Sequence, residues 1–456
     1  MKSSRREFIN AATGAGLSAL FLTMGDNETP RNSAQASPVA PDPNDPNDPN
    51  AITDPDHEIG KPYVGWREGE LDLNFISTGV GENMFYIFPD GTTMLLDAGD
   101  WTIYRDGNHT PAVPNDSRRP GEWIARYISR AKPGIETIDY VMASHFHSDH
   151  TGEKDAGLRM KGLDGDADYM ISGISHVGEF YRFDTAFDRG YPTYDQPTTW
   201  APEERENLVK YWEYAEKTQD LKREEFIVGA LDQIKMKRDP DKYDFHIRNL
   251  SRNGVVWGGE GKGNVDYFAL NPENKSQTNE NTRSISLVMN YGAFRFYTGG
   301  DASGALKDAE GRDADFEGAI GRACGPVDVC KANHHSFRDA MRKSFINAVQ
   351  ARAYVVCVWT MAHLQESTAA AMCDDTATGY QGPRLMCPTQ VHSNNAEMLK
   401  DKPWRGRLVE RGGHVVVKAY DGGARYKIYY LTHDDESMKV ELVFGPFESK
   451  SGTDRA

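Results

Sequence analysis

Three imidazoles and one carboxylate fall within six residues at His145-Phe146-His147-Ser148-Asp149-His150. Imidazole and carboxylate are preferred donors for Zn(II) and related ions. The run follows Ile138 to Ala143, an apolar segment that reads as a buried strand, so the donors emerge at a strand mouth. Two of the side chains can point one way while the following turn aims the next pair at a second position. One short loop can therefore serve two ions. Two cations held close together lower the pKa of a shared water and polarise a carbonyl or phosphoryl oxygen. The chemistry indicated is metal-assisted hydrolysis.

Other ligand-type residues lie further along the chain. Asp97 ends an apolar stretch in Leu95-Leu96-Asp97-Ala98-Gly99, and Asp301 ends another in Phe296-Tyr297-Thr298-Gly299-Gly300-Asp301. A histidine pair stands in Lys331-Ala332-Asn333-His334-His335-Ser336. His176, in Ser175-His176-Val177, is open to two readings, a third ligand for the first ion or a surface-turn histidine, and His363 follows the strand-like Ala353 to Val358 near the rim of a pocket. His57, His109, His246, His392, His414 and His433 have no ligand-like surroundings.

The H-x-H-x-D-H signature, with Asp97 before it and Asp301 after it, resembles the metallo-β-lactamase superfamily of binuclear metallohydrolases. Finer features resemble the branch typified by the exported hydrolase domain of the competence protein ComEC. Phe75-Ile76-Ser77-Thr78-Gly79-Val80-Gly81-Glu82 is similar to that branch's F-x-D-V-G-Q-G-D, with Ser77, Val80 and Glu82 in place of Asp, Gln and Asp. Asn281-Thr282-Arg283-Ser284-Ile285-Ser286-Leu287-Val288 is similar to its N-x-x-S-x-V, and the segment around His334-His335 to its L-K-V-G-H-H-G-S, with Ser336 replacing the Gly. The resemblance implies an α/β fold, a four-layer αββα sandwich with the metals at one rim of two sheets. It implies two divalent ions, zinc being the expected metal. His145 and His147 would hold one ion, Asp149 and His150 the other. Asp301 would bridge them, His334 or His335 would complete the second site, and Asp97 would orient the loop. The expectation adopted is His334 as ligand and His335 as the catalytic residue steadying the developing oxyanion, with Asp149 also relaying the proton of the attacking water. A phosphodiesterase or nuclease-like activity follows from the ComEC-like features. The alternatives are a lactone, ester or β-lactam hydrolase of the same fold, and a non-catalytic DNA-handling or binding protein.

The elements that must position these residues can be read around them. Leu73 to Ile76, Met84 to Phe88 and Thr92 to Leu96 alternate with Gly and Pro turns as short strands. Gly121 to Lys132 carries Trp123, Ile124, Tyr127 and Ile128 at helical spacing. An insert is expected at about 179–270, with a helix from Pro202 through Tyr214 and a second from Leu221 to Met236; their apolar side chains are expected to pack in the core rather than line the pocket.

Before this body, residues 1–36 read as a twin-arginine (Tat) signal peptide. Ser4-Arg5-Arg6-Glu7-Phe8-Ile9 precedes a short apolar stretch, and Ala34-Gln35-Ala36 offers a cleavage site. The Tat machinery is thus an expected partner, and the protein is expected in the periplasm or secreted. Residues 37–66 form a linker rich in Asp, Pro and Asn, and the hydrolase domain spans 67–450. No apolar run is long enough to span a bilayer, so stable membrane insertion is not expected. The formal charge of -16 disfavours broad contact with nucleic-acid backbone and leaves a small-molecule or phosphodiester substrate. Of five cysteines, Cys373 and Cys387 flank a Gly/Pro-rich loop that a disulfide would staple.

Overall fold

The computed structural model describes residues 59–102, 107–154, 159–160, 169–196, 202–271, 273 and 279–450. The signal segment, most of the linker and His57 lie outside them. Among the described residues two large sheets form. The nine-stranded sheet runs in the order Val440–Glu448, Arg425–Leu431, His414–Tyr420, Leu71–Phe75, Asn83–Ile87, Thr93–Ala98, Thr137–Ala143, Arg182–Asp188, Lys222–Glu225. The eight-stranded sheet runs Val265–Asp266, Val255–Val256, Phe245–Arg252, Ser286–Tyr291, Phe294–Thr298, Val329–Lys331, Ala353–Val356, Leu385–Pro388.

Strand side chains alternate between two apolar layers, which is why so many strands are apolar on both faces. Leu71, Leu73, Phe75, Met84 and Tyr86 of one sheet meet Ile247, Leu287, Met289 and Phe296 of the other in a central core. Phe85, Ile87 and Leu95 point the opposite way, against Ile124, Tyr127 and Ile128 of the helix Pro120–Ala131. On the far side of the second sheet, Val288, Tyr297 and Tyr354 pack on Phe316, Ile320, Phe345 and Ile346 from the helices Phe316–Cys324 and Lys343–Val349. Helix, sheet, sheet, helix is the αββα layering of the metallo-β-lactamase fold.

The expected strands and the helix at Gly121 to Lys132 form with edges moved by a residue or two; the first insert helix runs five residues past Tyr214, and the second does not form. Pro202–Gln219 is helical, and its Leu208, Tyr211, Trp212 and Ala215 are buried in the outer core. Leu221 to Met236 is not helical. Lys222–Glu225 instead pairs in parallel with Thr185–Asp188 at the edge of the nine-stranded sheet. Gly229 at φ 86° and Asp232 at φ 61° then break any helical run. Phe226, Ile234 and Met236 still reach the central core, along an irregular path. Among the described residues, Cys373 and Cys387 are buried free thiols and not a disulfide. No helix of the described residues is long and apolar enough to cross a membrane.

Candidate metal centre

The ligand-type residues converge because the strands carrying them end together. Thr93–Ala98 and Thr137–Ala143 are parallel neighbours in one sheet. Phe294–Thr298, Val329–Lys331 and Ala353–Val356 are parallel neighbours in the other. Asp97, the His145–His150 loop, Asp301, His335 and His363 all lie at or just beyond the C-terminal ends of these strands, on one rim.

The His145–His150 loop is held from beneath. The Glu82 backbone N–H donates to the Asp149 carbonyl at 2.8 Å, and a side chain at Gly99 would put its Cβ 2.0 Å from that oxygen. Phe146 is buried under the Arg189 guanidinium, 4.6 Å from its ring centroid. The Glu280 carboxylate accepts from the Phe146 N–H at 3.0 Å and from Arg189 at 2.5 and 2.6 Å, tying the loop to the second sheet. Asp97, fully buried at φ 57°, accepts from the Ser144 N–H at 2.7 Å, the Ser144 hydroxyl at 2.6 Å and His150 Nδ1–H at 2.8 Å.

Two sets of donors form around Asp301. His145, His147 and Asp301 make one group, and Glu82, His150, Asp301 and His335 the other; within each, one potential ligand atom per residue lies within 4.8 Å of the rest. Asp301 Oδ2 is 3.8 Å from His145 Nε2, and Oδ1 is 3.3 Å from His150 Nε2 and 3.5 Å from His335 Nε2. The carboxylate thus faces both groups, one oxygen to each. Asp149 Oδ2 stands beside the second, 3.2 Å from His335 Nε2.

The imidazole tautomers show what these groups fit. His150 gives its Nδ1 proton to Asp97, and His335 gives its Nδ1 proton to the Cys357 carbonyl at 2.9 Å. In the neutral rings both Nε2 atoms are then lone pairs, and they face each other at 3.2 Å. In the first group the Ser144 hydroxyl, which donates to Asp97, can only accept from His145 Nδ1; His145 Nε2 therefore turns a lone pair toward His147, 3.1 Å away. Asp301 Oδ1 is buried without a hydrogen-bond donor. Lone pairs converging on buried carboxylates fit cations between them.

The titration behaviour points the same way. Burial, then the neighbouring His150, hold the His145 imidazole well below its usual range. His150 shifts the opposite way: burial lowers it, but Asp301, Asp149 and Asp97 together outweigh that and raise it well above the usual value. Burial would raise Asp301 and Asp149, yet the surrounding histidines hold both below the ordinary carboxylate range. The pocket is a negative field that favours positive charge.

Three sequence expectations need revision. His334 stands outside both donor groups. Its Nδ1 donates to Asp339 at 2.6 Å, its Nε2 accepts from the Asn281 amide at 3.0 Å, and its closest approach to Asp301 is 3.7 Å. His335, expected to steady the oxyanion, is the ring of the pair that stands in the second donor group. The cause is a run of left-handed residues, His334 at φ 47°, His335 at 49° and Ser336 at 60°, which turns the two imidazoles apart. His176 also lies outside both groups. It sits on the short helix Gly173–Val177 against Gly121, where an added Cβ would lie 2.5 Å from its own, and against Phe180. His363 stacks on His335, centroids 4.4 Å apart and planes 12° from parallel, so it braces that ring from behind. Glu82 replaces the Asp of the ComEC-type motif, and its one signal in the sequence is a carboxylate beside the G-x-G loop.

Residues 77–153, which carry the His145–His150 motif, match the family model of the metallo-β-lactamase superfamily. Among solved structures the chain is similar to CmlA, a diiron β-hydroxylase from Streptomyces venezuelae, at 10% identity and a TM-score of 0.35, covering 77% of this chain and 54% of that one. A point mutant of the same CmlA β-hydroxylase matches at 9% identity and a TM-score of 0.33, covering 63% and 45%. This chain thus spans about half the length of those proteins. No curated protein matches the sequence.

Proposed function

We propose that this chain is an exported, binuclear metal-dependent hydrolase of phosphodiester bonds, with zinc as the expected metal. The observation that carries the metal part is the pair of Nε2 atoms of His150 and His335 facing each other at 3.2 Å beside the shared carboxylate of Asp301. Two divalent ions held there would supply Lewis acidity and a water of lowered pKa. His145, His147 and Asp301 would hold one ion, and Asp149, His150, His335 and Asp301 the other.

The chain's own residues then divide the remaining work. Asp97 fixes the tautomer of His150. Asp149, buried beside His335, accepts the proton of the attacking water. Asp339 anchors Nδ1 of His334, so that its ring stands at the Asp301 side of the centre. The phosphodiester assignment rests on the ComEC-like motifs. The net charge of -16 favours a small diester or a strand end over a long duplex.

Metal analysis of the purified protein, with assays on bis(p-nitrophenyl) phosphate, single-stranded DNA, a lactone and nitrocefin, tests this reading. About two equivalents of metal, loss of metal and activity in His147→Ala, and diester turnover with modest salt dependence are expected. Full activity of metal-free protein, or lactone or β-lactam turnover without diester turnover, would overturn it. Export is tested by changing Arg5-Arg6 to Lys-Lys, which should retain the protein in the cytoplasm.

A further inference from the structure

We propose that Glu82 is a ligand of the second metal position, giving it a third carboxylate beside Asp149 and Asp301. The inference rests on the binuclear reading above and names a donor that the superfamily resemblance does not supply.

Glu82 stands just before the strand Asn83–Ile87 and is fully buried. Its backbone is fixed between the metal loop and the turn after Ala98, the N–H donating to the Asp149 carbonyl at 2.8 Å and the carbonyl accepting from the Gly99 N–H at 3.2 Å. Its side chain therefore has little choice of direction. It joins His150, Asp301 and His335 in one group whose ligand atoms lie within 4.8 Å of one another.

Neither oxygen of Glu82 accepts a well-formed hydrogen bond. One charge partner is present, Lys331, also fully buried, which pairs with Oε2 and donates to the Gly300 carbonyl at 2.7 Å. Oε2 lies 3.7 Å from His335 Nδ1, but that proton goes to the Cys357 carbonyl. Oε1 is left without any donor. A buried carboxylate oxygen without a donor is costly, and the Lys331 ammonium meets Oε2, not Oε1.

The length of the residue matters. The ComEC-type motif has Asp where this chain has Glu82, and the added methylene extends the carboxylate by about 1.5 Å. Lys331 offsets the extra negative charge, so three carboxylates can surround one dication without a large excess. Oxygen donors favour harder ions, so Glu82 contributes more to Mn(II) than to Zn(II) at this position.

The test is calorimetric titration of metal-stripped full-length protein with Mn(II) and, separately, Zn(II), with bound metal counted by elemental analysis. Wild type is compared with Glu82→Asp, which keeps the charge pair with Lys331, and with the double variant Glu82→Leu/Lys331→Met, which removes both charges. Thermal melts confirm that each is folded. In both variants the second equivalent should weaken by about 10-fold or more, Mn(II) more than Zn(II), with the first unchanged. Wild-type affinity for both equivalents in a folded variant would overturn the proposal and leave Glu82 as a partner of Lys331 alone. If wild type binds fewer than two equivalents, the binuclear reading falls, and this inference with it.

Discussion

The substitution Asp97→Asn changes one acceptor oxygen into an amide donor with almost no change in shape. Asp97 receives three hydrogen bonds, from the Ser144 N–H at 2.7 Å, the Ser144 hydroxyl at 2.6 Å and His150 Nδ1–H at 2.8 Å. In the variant the Asn oxygen can keep the Ser144 N–H, leaving the amide nitrogen facing His150. Nδ1 must then accept rather than donate, and its proton moves to Nε2, the atom aimed at Asp301 and His335. A protonated Nε2 is no ligand. The flipped amide restores the His150 bond but opposes two donors at the buried Ser144 N–H, at a cost of about 1–3 kcal/mol. Either way the second position should lose about 10- to 100-fold in metal affinity, equivalent to about 1.4–2.8 kcal/mol. The backbone is no confounder, since Asp97 sits at φ 57° and Asn tolerates the left-handed region. Calorimetric titration of the metal-stripped variant should show the first equivalent unchanged and the second weakened by that factor. Two equivalents bound at wild-type affinity would refute the argument that the Asp97 hydrogen bond sets the His150 tautomer.

Three further outcomes are expected. Arg189→Met leaves the buried Glu280 carboxylate with the Phe146 N–H but without its guanidinium, and should destabilise the fold by about 3–5 kcal/mol in urea unfolding; a loss under 1 kcal/mol would contradict the burial argument. Glu317, buried beneath the His334–His335 loop, accepts from Asn333, Met341 N–H and Arg342 N–H, and burial is the main cause that raises its pKa from 4.5 to about 7. The folded state therefore holds a proton that the unfolded chain has lost, so its share of stability is present below pH about 4.5 and fades by up to about 3 kcal/mol as pH rises to about 7; Glu317→Gln should remove that slope from unfolding measured across the window. Ser336→Gly relieves a left-handed residue at φ 60° but loses the bond from its hydroxyl to Thr368 at 2.7 Å; the two effects are of similar size, so the melt should move by the equivalent of less than about 1 kcal/mol, and a much larger loss would show that the hydroxyl anchors the loop.

Local order carried the sequence reading a long way and then stopped for identifiable reasons. Strand ends and the dense His145–His150 motif were legible because alternation, turn glycines and donor spacing are written within a few residues. Asp97 and Asp301 could be placed for the same reason, as carboxylates ending apolar strands. The choice between His334 and His335 was not legible. It depends on three successive left-handed residues, none of them glycine, and no pattern of residue types announces that. His176 is a ligand candidate by resemblance alone, and the helix Gly173–Val177 turns it toward Gly121. Leu221 to Met236 carries helical spacing, yet the open edge of Arg182–Asp188 takes its first residues into a parallel ladder. Glu82 meets its neighbours only through space, since His150, Asp301 and His335 lie 68 to 253 residues away along the chain.

The donors come from both halves of the sandwich: His145 to His150 from the rim of the nine-stranded sheet, Asp301 and His335 from the rim of the eight-stranded one. Ions held between them would act as a non-covalent cross-link joining the two sheets at their open edge. Binding and folding would then share one free energy, worth about 2.7 kcal/mol when free metal exceeds its dissociation constant 100-fold. The melting temperature would become a gauge of metal supply, and a chelator would loosen the seam between the sheets without touching a covalent bond.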